Sequence, residues 1–267
     1  MNILQEIAAQ TKERIAIQKK ILPSEKIIEM AQAMCSTESS ELSAFPFETA
    51  LRTEEIAFIC EIKKASPSKG MIADRFSYLD IAREYEAAGA AAISVLTEPY
   101  YFKGSDLYLR EIANTVSIPL LRKDFTIDSY MIYEAKLLGA SAILLICAIL
   151  DQDTLAEYMN IAHRLGLSVL VETHTEAEID MALAAGARII GVNNRNLKTF
   201  EVDITLSERL RNMIPETVVF VSESGINYME DVKILHQNGV DAVLVGETLM
   251  RAPDKTATLK ELRGDIP

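Results

Sequence analysis

Short apolar runs of strand-forming residues, each entered from a helix-like segment that ends in glycine, recur along most of this chain. Ala87-Ala88-Gly89, Leu137-Leu138-Gly139, Arg164-Leu165-Gly166, Ala184-Ala185-Gly186 and Gln237-Asn238-Gly239 each lead within a few residues into such a run. The glycine reads as the left-handed residue that ends a helix, and the run as a buried strand. These five runs lie at 92–96, 142–146, 168–171, 188–192 and 242–245, and three more at 57–63, 118–123 and 218–222 bring the count to eight. Continuous apolar strands joined by helix-sized crossovers predict a parallel sheet covered on both faces. Eight such units predict an α/β fold of the closed (βα)8, or TIM-barrel, type. The rival, an open doubly wound sheet, would place a Gly-x-Gly-x-x-Gly turn after the first strand, and the sequence has none.

The first 48 residues follow a different pattern. Ile3, Leu4, Ile7, Thr11, Arg14 and Ile15 fall at helical spacing, and Pro23-Ser24 restarts a second helix carrying Ile27, Ile28, Ala31 and Met34. The expectation is one barrel domain over 1–267, with 1–48 as an added helical segment packed on it. The stretch 36–43 and the Phe45-Pro46-Phe47 that follows read as a connector into the first strand.

Composition narrows the class. The chain of 267 residues is 49% hydrophobic and 25% charged, which is globular. A formal charge of -12 without a basic stripe argues against nucleic acid and anionic membrane as partners. The longest uncharged apolar run, 139–150, is too short to span a bilayer, and the amino terminus lacks signal-peptide features, which predicts a cytoplasmic protein. Cys35, Cys60 and Cys147 are odd in number and widely spaced, so neither a disulfide framework nor a zinc site is expected.

Charge sits where the strands stop, the place where such barrels carry their chemistry. The first run ends with Glu61 and Lys63, which share a face with Ile59 by the two-residue period of a strand. Taken alone, they are either a strand-end ion pair or an acid–base pair. The third run ends with Lys123 and the fifth with Glu172; alternation groups them with Leu121 and Leu170 on the inward face. The sixth ends in Asn193-Asn194-Arg195-Asn196-Leu197, the seventh in Ser222-Glu223-Ser224-Gly225, the eighth in Gly246-Glu247-Thr248. One polar strand end is ordinarily a solvated end, but six converging on one rim point to a site. The small-residue turns after strands seven and eight read as a backbone phosphate cradle, with a plain glycine turn as the alternative. His163 and His236 fall in helical segments and His174 in a loop; all three read as bystanders. No metal-ligand cluster appears, which leaves lysine and glutamate for proton transfer.

At these residues the chain resembles the indole-3-glycerol-phosphate synthase family of tryptophan biosynthesis over nearly its whole length. The matching motifs are Glu61-Ile62-Lys63-Lys64-Ala65-Ser66-Pro67-Ser68, Ser94-Val95-Leu96-Thr97-Glu98, Tyr101-Phe102-Lys103-Gly104-Ser105, Leu121-Arg122-Lys123-Asp124-Phe125, Val171-Glu172, Gly191-Val192-Asn193-Asn194-Arg195-Asn196-Leu197, Ser222-Glu223-Ser224-Gly225-Ile226 and Val245-Gly246-Glu247. The resemblance implies a lyase that closes, decarboxylates and dehydrates 1-(2-carboxyphenylamino)-1-deoxyribulose 5-phosphate to indole-3-glycerol phosphate, without a cofactor. By resemblance, Lys123 is the main general acid, Glu172 the acid or base of dehydration, Lys63 the partner of the substrate carboxylate, and Glu61 the group that holds the lysines. Asn193, Glu223 and Ser224 complete the catalytic set, with Arg195 on the substrate. Ser66, Gly225, Gly246 and Glu247 serve the phosphate side, and Phe102, Phe125 and Leu197 pack on the anthranilate ring. Asn196 departs from the family pattern, where many relatives carry Asp. The resemblance further implies a monomer able to associate with other enzymes of the pathway. The alternatives are a non-catalytic barrel that binds a phosphorylated ligand and a related phosphosugar isomerase. A lid is expected in the loop at 66–75, from its Pro67 and Gly70.

Overall fold

The computed structural model describes residues 3–37, 45–73, 76–196 and 199–265. Eight parallel strands close a barrel: β1 (Ala57–Ile62), β2 (Ala92–Leu96), β3 (Leu120–Lys123), β4 (Ala142–Ile146), β5 (Ser168–Thr173), β6 (Ile189–Asn193), β7 (Val219–Glu223) and β8 (Ala242–Val245). Each pairs with the next, and β8 returns to β1 with Ala57 opposite Ala242. All eight expected strands are present, with ends shifted by a residue or two. The shifts carry Glu172 and Glu223 inside β5 and β7 and leave Lys63 just beyond β1.

The helix-to-strand turns follow one rule. Gly89, Gly139, Gly166, Gly186 and Gly239 all have positive φ, a region closed to most L-residues. At Gly139 (φ 85°) the glycine amide donates to the Lys136 carbonyl and the Ala140 amide to the Ala135 carbonyl. The Ser141 amide then donates to the Leu120 carbonyl, so the chain enters β4 in register beside β3.

Side chains alternate as the strand period requires. Ile59, Leu121, Leu144, Leu170, Val221 and Leu244 fill the barrel interior, while Phe58, Ile93, Leu145, Val171, Phe220 and Val243 meet the helical shell. Within one strand end the neighbours therefore diverge. Lys123 points inward, whereas Arg122, 2% exposed, points into the shell and donates to Asp106 (2.7 Å), Glu134 (2.7 Å) and the Met131 carbonyl (2.9 Å).

The amino-terminal segment seals the barrel at both ends. Helix α1 (Ile3–Ile21) buries Leu4, Ile7, Thr11 and Ile15, the face expected from the sequence. Leu4 and Ile7 join the interior cluster beside Phe125 and Ile146, at the carboxyl end of the strands. Arg14 Nη2 lies 3.0 Å from both carboxylate oxygens of Asp124, and Lys19 reaches Asp128 at 2.6 Å, so α1 is pinned to the segment after β3. Helix α2 (Ser24–Thr37) buries Ile27 and Ala31 but leaves Met34 exposed, against expectation.

Pro46 and Phe47 correct the sequence reading, because they open a helix, α3 (Pro46–Leu51), and are not a connector. Phe47 and Leu51 are fully buried in the interior cluster together with Ala57, Ala92, Ala142 and Ala242. Alanines at four strand starts leave the bottom of the barrel open, and the two α3 side chains fill it. Each such side chain contributes roughly 1.5–3 kcal/mol on burial. Most of the expected connector at 36–43 lies outside the described residues. Among the described residues no helix is long and apolar enough to cross a membrane.

Candidate active site

The carboxyl ends of the strands surround a cavity of about 570 Å³, within the range of small-ligand sites. Glu61, Lys63, Ser66, Phe102, Lys123, Phe125, Glu172, Asn193, Arg195, Glu223, Ser224, Gly225, Gly246 and Glu247 all line it. Of the residues expected there, only Leu197 is missing from this set, and it lies outside the described residues. The wall also includes Ile3, Leu4 and Ile7 of α1, with Leu144, Ile146 and Leu244 forming an apolar floor. Helical periodicity gave α1 an apolar face but could not say that this face closes the mouth.

At the floor Lys123 Nζ sits between two carboxylates, 2.7 Å from Glu223 Oε2 and 3.1 Å from Glu172 Oε2. Beside it Lys63 Nζ is 2.5 Å from Glu61 Oε1. Strand pairing builds this set: Glu223 lies opposite Asn193, and Glu172 opposite Ile146 and Gly191. Gly191 is required by its neighbours, since a Cβ there would collide with Glu223 Oε1 and stand 3.1 Å from Leu170 Cδ1. Gly246 likewise leaves room for the Glu61 carboxylate and for Lys63 Nζ, 3.0 Å from where its Cβ would be.

Three carboxylates thus face two ammonium groups in a setting largely closed to water, and that imbalance governs the titration of Lys123, Glu172 and Glu223. Burial pulls the Lys123 ammonium down, but the charges of Glu223, Glu172 and Glu61 outweigh it, and the group is held well above its ordinary range. Burial also pushes Glu172 up; Lys123 and His174 reverse this, and it stays below the usual carboxylate value. For Glu223 burial wins. Lys123 is shared with Glu172, whose own charge adds to the penalty, and Glu223 is pushed up to about 6. Its Oε1 has no hydrogen-bond partner.

The rim is held by a second layer of polar contacts. Asn193 Nδ2 donates to Glu172 Oε1 (3.2 Å), and its Oδ1 accepts the Arg195 amide (3.0 Å). Asn194 is buried away from the cavity, where its amide donates to Ser222 Oγ and the Ser224 carbonyl. That grip holds Ser224 at φ 68°, a conformation disfavoured for a residue with a side chain. Gly246 leads directly into the short helix Glu247–Arg251, and Thr248 Oγ1 donates to the Ile226 carbonyl, which joins the turns after β7 and β8. The Glu247 carboxylate pairs with Arg251 (3.1 Å) and Lys69 (3.8 Å).

Phe102 and Phe125 stand 6.0 Å apart across the apolar side. Phe102 is positioned by Glu98, whose buried carboxylate accepts the amides of Tyr100 (2.8 Å), Tyr101 (2.7 Å) and Phe102 (2.9 Å). Glu98 stands in one of the motifs of the resemblance, which implies no task for it. A carboxylate directly after a buried strand and before an aromatic pair was the available signal. The described part of the loop at 66–73 makes a small hairpin in which Ala65–Ser66 pairs with Gly70–Met71. His163 lies on the outer helix Gln152–Arg164 and His236 on Met229–Gln237. His174 does not fit its expected role as a bystander, because its Nε2 is 3.6 Å from Glu172 Oε1.

Fold and site together define a (βα)8-barrel enzyme with lysines and glutamates gathered in a cavity of small-molecule size. Residues 4–262 match the family model for indole-3-glycerol phosphate synthase, and the chain belongs to that family. A relative from Ruminiclostridium cellulolyticum named indole-3-glycerol phosphate synthase is 58% identical over 98% of this chain and 99% of its own. Another of the same name, from Lachnoclostridium phytofermentans, is 50% identical over 98% of each chain. Among solved structures, a 3-hexulose-6-phosphate synthase from Salmonella typhimurium superposes with a TM-score of 0.65 at 14% identity, covering 78% of this chain and 97% of that one. At that identity the likeness speaks for the fold alone.

Proposed function

We infer that the protein converts 1-(2-carboxyphenylamino)-1-deoxyribulose 5-phosphate to indole-3-glycerol phosphate, the reaction of its family. The observation that carries the residue assignment is the placement of Lys123, largely withdrawn from solvent, charged and hydrogen-bonded between Glu172 and Glu223. Ring closure needs a proton delivered to the ketone oxygen as the aromatic carbon attacks, and Lys123 supplies it. Loss of the substrate carboxylate as carbon dioxide rearomatises the ring. Glu172 then handles the proton movements that release the hydroxyl as water. Balanced over the cycle, the carboxylate form of the substrate consumes one proton and yields product, carbon dioxide and water.

Lys63, turned to the cavity by Glu61, meets the substrate carboxylate and assists as an acid. Asn193 orients Glu172, and Glu223 and Ser224 complete the catalytic wall, with Arg195 on the substrate beside them. Phe102, Phe125 and Leu197 hold the anthranilate ring by stacking and apolar contact. Ser66 and the backbone at Gly225, Gly246 and Glu247 receive the phosphate. The whole chain acts as one barrel domain with its helical extension, as a cytoplasmic monomer that needs no cofactor and is free to associate with other enzymes of the tryptophan pathway. The test is direct. Purified protein given the substrate will show the ultraviolet change of indole formation, whereas tight binding without that change would favour a silent ligand-binding barrel.

A further inference from the structure

Behind Glu172, outside the cavity wall, stands a polar group that the mechanism above does not use. His174 follows β5 directly, with Nε2 3.6 Å from Glu172 Oε1 and Nδ1 3.5 Å from Glu178 Oε2. Glu178 lies in the first turn of the helix Glu176–Ala184, and its Oε2 also accepts the His174 backbone amide at 2.5 Å. The ring is therefore gripped from behind by one carboxylate and aimed at another. Its Nε2 is buried without a hydrogen-bond partner, an arrangement that costs stability and calls for a reason.

The groups facing the ring are nearly all anionic. Glu172 comes from β5, Glu178 from the following helix and Glu223 from β7. Cys147, after β4, is beside Glu178 and Glu172, but its thiol is pushed up to about 12 by burial and remains neutral. Lys123 stands on the far side of Glu172. Burial disfavours the charged ring, yet the Glu178 hydrogen bond and the three carboxylates outweigh it, and the imidazole is held above its ordinary range. When protonated, His174 adds a cation to a set in which the carboxylates Glu61, Glu172, Glu178 and Glu223 outnumber the ammonium groups of Lys63 and Lys123.

We propose that His174, held by Glu178, is a positioning residue for Glu172: its imidazolium fixes the orientation and charge of that carboxylate, and so sets how readily it takes and returns the dehydration proton. The 3.6 Å gap closes to a hydrogen bond with a shift of a few tenths of an ångström, as apo contacts often do when substrate binds. The catalytic part of this proposal rests on the synthase reading, whereas the charge coupling does not.

The experiment separates the two. Glu172 is followed by carbon-13 NMR of its carboxyl in the labelled full-length protein, alongside the pH dependence of turnover. An opposite charge at this distance is worth roughly 1–3 pH units, so H174Q is expected to raise the Glu172 midpoint by at least about one unit. E178Q, which leaves the ring in place but removes its grip, moves the midpoint the same way by less. Turnover of H174Q falls on the order of 10-fold, below the 10²–10⁴ of a directly placed acid, with KM within about twofold of wild type. An unmoved Glu172 midpoint in folded H174Q overturns the proposal, and so does an unmoved midpoint in E178Q if H174Q does not fold. A shifted midpoint in a chain whose wild type forms no product leaves the coupling standing and sinks the synthase reading instead.

Discussion

Replacing Lys123 with methionine will remove activity and, in the same stroke, make stability steeply dependent on pH. Methionine is close to lysine in volume, so the change deletes the charge with little repacking. Two carboxylates now bonded to Nζ at 2.7 and 3.1 Å, with side chains only 2% and 5% exposed, lose their counter-ion. Breaking a buried pair from one side costs about 3–5 kcal/mol when the remaining charge cannot escape. Here it can escape by protonation. In the wild type the Glu172 carboxyl lies below its ordinary value and Glu223 is already at about 6. Without Lys123 both are raised above their unfolded values. Such groups contribute stability that is present below the unfolded carboxylate pKa and lost as pH rises through the folded one. Urea unfolding at about pH 8 should therefore show the variant several kcal/mol less stable than wild type, with the gap narrowing at about pH 5. Turnover, followed by indole formation, should fall roughly 10²- to 10⁴-fold. A stability loss of the same size at both pH values would refute the charge argument, and near wild-type turnover would refute the role of Lys123.

Further outcomes test other parts of the site. Gly191→Ala drives a methyl into Glu223 Oε1 and should cost about 1–3 kcal/mol by urea unfolding and, through the displaced carboxylate, about 10²-fold in turnover; wild-type values would mean the Glu223 geometry is unimportant. With Glu223 at about 6, its ionised form is lost as pH falls through that value, so the acid limb of kcat/KM there should vanish in Glu223→Gln; an unchanged profile assigns the limb elsewhere. Arg14→Ala strips Asp124 of the guanidinium nitrogen that its two oxygens share and should destabilise by roughly 3 kcal/mol while raising KM more than it lowers kcat, because α1 carries Leu4 and Ile7 to the mouth; unchanged KM would detach α1 from binding. Amide exchange in the hairpin at 65–71 should slow when a substrate analogue binds, and unaltered exchange would end the idea of a lid there.

How far the molecule could be read beforehand depends on the range of the interactions involved. The glycine-ended helices and apolar runs are local signals, so all eight strands were legible, and the two-residue period sent Lys123 and Glu172 inward and put Glu61 and Lys63 on the face of Ile59. Helix α3 was not legible. Six residues are too few for a helical period, and what holds Pro46–Leu51 in place is the hole left by alanines at the starts of four strands, three of them distant in sequence. Glu178 and His174 were invisible as a pair for a similar reason. Four residues apart, they meet only because the chain turns from β5 into a helix between them.

The tripeptide Arg122-Lys123-Asp124 shows most clearly what sequence order hides. Three consecutive charges look like one solvated strand end, yet Arg122 and Asp124 are buried, the Lys123 side chain is only 13% exposed, and each leaves in a different direction. Arg122 enters the helical shell to meet Asp106 and Glu134, Lys123 enters the barrel to meet Glu172 and Glu223, and Asp124 turns to Arg14 of the extension. Thr97 at the end of β2 bridges the outer two, with its hydroxyl 2.7 Å from Asp124 and 3.3 Å from Arg122 Nε. Lys123 is thereby flanked by one anchor in the scaffold and another in the segment that covers the mouth. Because the Lys123 backbone lies between two fixed points, loosening either should move Nζ relative to its carboxylates. This makes the amino-terminal helix a structural part of the active site, reached through Asp124, and not an appendage to a finished barrel.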